Sequence, residues 1–252
     1  MKSSKTTAKP TGYILHETDT IAVIATIHSE NIKTGDMIQV WILNRHESPV
    51  EAVRSGQDET VCFDCPHRGD GFNDRTCYVN VAQGPNAVYR AYRANKYPTL
   101  PIARYAEVFS NRKVRFGAYG EPVLIPLHIV EAIAQIADGH TGYTHQWRKT
   151  EYQAYGAYLM ASCDSPRDSA LAEAMGWRHF RVRNATEALL PGEISCPASD
   201  EMGKRTTCDR CTLCNGKRTA TDARKNIAII VHGIGAKNFV ALEAIAPIAI
   251  AA

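Results

Sequence analysis

No apolar run in this chain is long enough to cross a bilayer. The most apolar stretch, Phe239 to Ala252, is broken by Glu243 and Pro247 and falls short of the roughly 20 residues a spanning helix needs. It is expected to pack on the core as a terminal segment, 236–252. Net charge is also scarce. Lys and Arg number 29 against 26 Asp and Glu, giving +3 with the two signs interspersed, so electrostatics alone does not argue for a nucleic-acid or membrane partner. No internal repeat and no low-complexity segment is present. The start, Met1 to Pro10, is rich in Lys, Ser and Thr and lacks an apolar core. It reads as a flexible tail (1–10) rather than a secretory leader, and a cytoplasmic protein is expected.

What the chain does have is cysteine, eight in 252 residues. A chain of this length can bury a core without staples, and a reducing compartment would not keep a disulfide framework. The cysteines are clustered, which points to metal.

The apolar pattern predicts an α/β fold. Strands are expected at Ile21 to Ile27, Met37 to Leu43, Val114 to Tyr119, Thr141 to Trp147, Ala157 to Ser162, Trp177 to Arg183, Gly192 to Cys196 and Asn226 to His232. Helical spacing follows Pro126, with Ile129, Ala132, Ile133 and Ile136 on one face before Gly139, and recurs from Pro166 to Met175 and from Pro85 to Ala94. Strand–helix alternation with short connections implies a parallel sheet. The expected architecture is an open, partial β/α barrel of mostly parallel strands, one domain over 11–235, with cysteine-rich loops inserted at 62–77 and 196–214.

Glu121, His145, Asp164, Cys196 and His232 each fall at or just after the C-terminal end of an expected strand. In parallel β/α folds that end carries the ligands. Two cysteine groups lie in the loops. Cys208, Cys211 and Cys214 form C-x2-C-x2-C with Cys196 upstream. Four thiolates complete either an iron–sulfur cube or a zinc site and leave no open position. Cys62, Cys65 and Cys77 form C-x2-C-x11-C, one thiolate short of a closed centre. Either His67, Asp64 or another residue completes a zinc site, or one iron of a [4Fe-4S] cluster stays free for an external ligand. Cys163, in MASCDSP, reads as a small buried hydrophobe.

The order of these motifs resembles the radical S-adenosylmethionine superfamily. In that family a three-cysteine loop holds a [4Fe-4S] cluster with one open iron, and a Gly-Gly-Glu-Pro-type turn follows the second strand. Here Gly120-Glu121-Pro122-Val123-Leu124 looks like that turn, and Ser162-Cys163-Asp164 looks like the Ser-x-Asp ending the family's fourth strand. The resemblance implies that Gly120, Glu121, Ser162 and Asp164 bind S-adenosylmethionine. It also implies that Cys62, Cys65 and Cys77 hold the catalytic cluster, and that Cys196, Cys208, Cys211 and Cys214 hold an auxiliary one. The family's cysteine loop is C-x3-C-x2-C, so the spacing here is a departure. The aromatic that packs on the cofactor's adenine would be Tyr78 or Phe63, neither in the usual place. A second resemblance, carried by CYVNVAQGPNAVYRAYRANKYP, TGYTHQW and CPASDEMGKRTTCDRCTLCNG, is to a cysteine-rich bacteriophage and prophage family. It implies a protein of the host-cell cytoplasm. The rival function is a zinc- or cluster-stabilised phage protein that binds nucleic acid in replication, without catalysis.

Other residues carry two readings each. Tyr89, Arg90, Tyr92, Arg93, Lys96 and Tyr97 suit stacked bases or an amphipathic helix with its tyrosines turned inward. Arg181 and Arg183 suit a bound anion or a solvated strand face. His145 with Trp147 suits ligand contact or a core histidine. Gly233-Ile234-Gly235 permits close approach to a ligand.

Overall fold

The structure, a computed structural model, describes residues 9–239. Ten strands form two five-stranded sheets. The first holds β1 (Gly12–Glu17), β2 (Ile21–Thr26), β3 (Ile38–Asn44), β4 (Lys113–Tyr119) and β5 (Gly139–Thr141) in that order. The second holds β6 (Tyr143–Thr144), β7 (Met160–Cys163), β8 (His179–Arg183), β9 (Glu193–Ser195) and β10 (Asn226–Ile230), in the order β6-β7-β8-β10-β9. Every pairing in the second sheet is parallel. In the first, β3, β4 and β5 pair parallel while β1, β2 and β3 run antiparallel. The chain is therefore mixed α/β with mostly parallel pairings, and it opens with an antiparallel meander whose first strand, β1, was not among the expected ones. The turn from β1 to β2 is made by Thr18, whose hydroxyl accepts from the Thr20 and Ile21 backbone N–H groups at 3.2 and 3.1 Å, a side-chain turn that a strand-alternation pattern does not register.

The expected strand from Thr141 to Trp147 breaks at Gly142 and stops at Thr144, where a 3-10 turn over Gln146–Arg148 begins. Gly142 is the joint between the sheets. Its N–H donates to the Cys214 carbonyl at 2.8 Å, and its carbonyl accepts from Met160 N at 3.0 Å. A Cβ there would lie 2.7 Å from Leu159 Cδ2 and 3.1 Å from Phe116 Cβ, so only glycine fits without displacement.

Among the described residues seven α-helices flank the sheets: α1 (Pro49–Ser55), α2 (Glu59–Cys62), α3 (Gly84–Arg93), α4 (Tyr105–Phe109), α5 (Leu127–Ile136), α6 (Pro166–Ala174) and α7 (Cys208–Cys211). Two begin as local chemistry dictates. Ser48 and Glu51 form a capping box on α1 with Pro49 in its first turn, and Ser165 caps α6 ahead of Pro166. All six residues of β2 are buried, as expected for a strand covered on both faces. One apolar core runs from Leu15 and Ile24 through Phe116 and Ile133 to Trp147 and Trp177. A smaller one gathers Met160, Phe180, Cys196, Ala198, Ile227 and Ile229, with Cys208, Leu213 and Cys214 packed against it.

Arg181 and Arg183 are neither solvated nor free. Arg181 is fully buried and forks onto Glu193, with Nε and Nη2 each 2.8 Å from a carboxylate oxygen. His179 Nε2 stands 3.0 Å from the same carboxylate. Arg183 pairs with Glu201. In and beside α3 the tyrosines turn inward. Tyr89 and Tyr97 are buried, and the Tyr92 hydroxyl accepts from Arg45 Nε at 3.0 Å and donates to Glu17 at 2.5 Å. Among the described residues no helix is long and apolar enough to cross a membrane. The expectations for the two ends fall mostly on 1–8 and 240–252, outside the described residues.

Candidate functional site

The loop carrying the first three cysteines is folded by charge. Cys62 ends α2, and Asp58 stands at the residue before that helix. The Asp58 carboxylate is buried and takes three hydrogen bonds: from Arg68 Nε at 3.0 Å, Arg68 Nη2 at 2.8 Å and Arg75 Nη1 at 3.1 Å. Arg68 also donates to the Phe63 and Gly56 carbonyls at 2.9 and 2.8 Å. The eleven-residue gap to Cys77 thus doubles back, and Cys77 N reaches the His67 carbonyl at 3.0 Å. Asp58, Arg68 and Arg75 were not among the residues singled out from sequence. Two arginines inside a cysteine loop, with an aspartate just ahead of it, were the available signal.

The three thiols face one cavity of about 400 Å³, whose lining also includes Gly120, Glu121 and Ser162. Burial, then the neighbouring Cys65 and Cys77 thiols, push the Cys62 thiol well above its usual range. Burial likewise raises Cys77, partly offset by Arg75. Among the described residues no three cysteine sulfurs lie within 4.8 Å of one another. They are neighbours, but they do not converge on a single point as the ligands of one zinc ion do.

Gly120 and Glu121 form the turn after β4. Glu121 N donates to the Val61 carbonyl at 2.7 Å, which presses the turn against α2. Gly120 has φ +81°, and a Cβ there would come within 2.8 Å of Ile42 Cβ. The Glu121 carboxylate is buried and occupied. It accepts from the Thr144 hydroxyl and, at 3.1 Å, from His145 N. The Glu121 carboxylate thus braces the end of β4 against the end of β6, and Gly120 and Glu121 both line the cavity.

Ser162 and Asp164 follow β7. Ser162 is buried, and its carbonyl accepts from Trp147 Nε1 at 2.9 Å, which makes Trp147 a core residue. Asp164 sits between two imidazoles, with Oδ1 2.9 Å from His67 Nε2 and Oδ2 3.3 Å from His145 Nε2. Burial favours the neutral Asp164 carboxyl, but His67 and His145 outweigh it and hold it far below the usual carboxylate range. Burial opposes the charged form of His145, yet Cys65 and Asp164 together raise that imidazole well above its ordinary value. His145 Nδ1 lies 3.5 Å from Cys65 Sγ. Cys163 is fully buried in the main core, its thiol directed at the Ala161 carbonyl, the small-hydrophobe role expected for it.

The second cysteine group is assembled from β9, α7 and the loop after α7. Cys196 N donates to Ala228 O at 2.8 Å, and Cys208 N to Lys33 O at 2.9 Å. Burial, then the Cys196, Cys208 and Cys211 thiols, push Cys214 well up. Burial raises Cys196 and Cys208 as well. Between the two groups stands Arg115, buried, donating to the Tyr78 and Tyr143 hydroxyls. Burial would depress its guanidinium, but Tyr143, Tyr78 and Cys208 hold it up. His232, expected at the strand-end rim, lines the cavity 3.3 Å from Lys33 Nζ. Gly233 and Gly235 approach backbone rather than open space, at Tyr78 and Arg75.

Comparison of the chain with family models, with curated proteins and with solved structures gives no match.

Proposed function

We propose that the chain is an iron–sulfur protein of the radical S-adenosylmethionine kind, built on a partial barrel formed by the two sheets joined through Gly142. The observation that carries this reading is the cavity of about 400 Å³ faced by Cys62, Cys65 and Cys77 and by the Gly120–Glu121 turn. Buried thiols that crowd one another without converging on a point suit a cube better than a single ion, because each thiolate of a cube binds a different iron. Bound there, a four-iron cluster with one uncommitted iron would supply an electron to the sulfonium of S-adenosylmethionine, breaking a carbon–sulfur bond to give a carbon radical.

The chain's own residues do the positioning. Asp58, through Arg68 and Arg75, fixes the cysteine loop. Glu121 holds Thr144 and His145, and so fixes the cavity wall beside Cys65. Gly120 and Ser162 line the cavity where a cofactor's amino-acid end would lie. Cys196, Cys208, Cys211 and Cys214, wrapped in their own apolar shell, suit a closed auxiliary centre, with Arg115 supplying countercharge.

Anaerobic purification with iron and sulfide analysis and electron paramagnetic resonance tests the reading. The expected result is two four-iron clusters, one of which changes its spectrum on adding S-adenosylmethionine. Zinc at both sites, with steeply salt-dependent binding to DNA or RNA, would overturn it in favour of a nucleic-acid-binding protein.

A further inference from the structure

Beside the thiols lies a second donor set that the cysteine reading does not use. His67 Nε2, His145 Nε2 and an Asp164 carboxylate oxygen are brought within 4.8 Å of one another from the cysteine loop, the end of β6 and the end of β7. Both imidazoles point the same nitrogen at the shared carboxylate and tie the other one outward. His67 Nδ1 lies 2.6 Å from Thr76 Oγ1, and His145 Nδ1 lies 3.5 Å from Cys65 Sγ and 3.6 Å from Glu121 Oε1. Outer partners of this kind orient metal-bound histidines and select their tautomer.

The inner geometry is only half of a hydrogen-bond relay, with His67 Nε2 bonded to Asp164 Oδ1 at 2.9 Å. His145 Nε2 is buried and makes no hydrogen bond, although Asp164 Oδ2 is 3.3 Å away. This nitrogen and the carboxylate oxygen are close without being aligned on each other, as ligand atoms aimed at a common third point are. His67 and His145 both line the cavity, so open positions of an ion held here would face its contents.

We infer that His67, His145 and Asp164 form a binding site for one divalent transition-metal ion. Two imidazoles and one carboxylate are borderline donors, which suit zinc or ferrous iron and not magnesium or calcium. With three protein ligands the ion keeps positions for a cavity ligand, the arrangement of a Lewis-acid site rather than a structural one. No sulfur belongs to the donor set; Cys65 touches it only as an outer partner of His145, a place it shares with Glu121.

Cobalt(II) is the probe, titrated anaerobically into the metal-free full-length protein. The difference spectrum between wild type and Asp164→Asn is expected to contain weak ligand-field bands and no thiolate-to-cobalt charge transfer. The same bands should survive in the Cys62→Ser/Cys65→Ser/Cys77→Ser variant. Thr76→Val, which removes the outer partner of His67 while keeping its shape, should weaken this cobalt site by about 10–100-fold. It remains informative where His67→Ala fails to fold. Charge-transfer bands in the difference spectrum, or identical cobalt stoichiometry in wild type and Asp164→Asn, would overturn the inference and leave a His–Asp–His relay. Loss of the radical chemistry with this cobalt site intact would sink the proposed function alone.

Discussion

The loop between Cys62 and Cys77 should keep its fold without metal, and Asp58→Asn tests this most directly. The substitution keeps size and removes charge. One carboxylate oxygen becomes an NH2 group that must face a guanidinium, so one arginine loses its acceptor outright. Hydrogen bonds to charged groups contribute about 1.5–3 kcal/mol each, and breaking a buried pair costs about 3–5 kcal/mol. Arg75 keeps only 7% of its side-chain surface exposed against 18% for Arg68, so water recovers part of the loss at Arg68 and little at Arg75. The expected cost is therefore about 3 kcal/mol, more than a hundredfold in the folded-to-unfolded ratio. Urea denaturation of metal-free, reduced protein, followed by tryptophan fluorescence, gives the number. Trypsin provides a local readout, because cleavage after Arg68 and Arg75 should accelerate in the variant. Asp64→Asn is the control. That side chain is 73% exposed and bonds only Gln146 and a distant Lys149, so a change below about 1 kcal/mol is expected. A loss under about 0.5 kcal/mol in Asp58→Asn, with unchanged cleavage, would refute the argument that charge folds this loop.

Three further outcomes follow from other parts of the fold. Burial alone would raise the Glu193 carboxyl, but Arg181 and His179 outweigh it and hold it down to about 2 from 4.5. A depressed carboxylate stabilises above its unfolded value and loses that contribution as pH falls, so about 3 kcal/mol should vanish between pH 4.5 and 2. The stability gap between wild type and Glu193→Gln, measured by denaturation from pH 6 to 3, should narrow with falling pH, and a constant gap would count against it. Gly142→Ala should cost about 1–3 kcal/mol by overpacking against Leu159 and Phe116, read as a lowered thermal midpoint. Cys163→Ala should leave the protein's full metal content intact with a stability loss near 1 kcal/mol, whereas a missing metal equivalent would make Cys163 a ligand.

The elements legible in the sequence are those whose stabilisation is local. Ile227 to Ile230 is apolar throughout and makes up most of β10, and Pro166 to Ala174 carries its own cap and stop. The capping box at Ser48 and Glu51 was equally legible, yet α1 was not read from it. Thr18 explains why β1 was not read, because one hydroxyl makes a hairpin that apolar alternation does not reveal. The site was legible as a set of chemical groups and not as a set of partners. Cys62, Cys65, Cys77, Gly120 and Ser162 do share a cavity. That Glu121 braces Thr144, that Arg181 is spent on Glu193, and that Asp58 gathers two arginines are pairings across 10 to 24 residues. No spacing rule encodes them, and only packing selects which buried charges meet.

The short stretch from Gly142 to Thr144 has a mechanical meaning. Gly142 is tied by its N–H to the backbone at Cys214, and Thr144 by its hydroxyl to Glu121 beside the first thiols. Two peptide units separate these anchors, and extended chain covers at most ~7 Å in two steps. The offset between the two thiol groups is thereby gauged by covalent bonds, as a fixed spacer sets the gap between two plates. A loop rearrangement at one group would be passed to the other along this stretch of backbone.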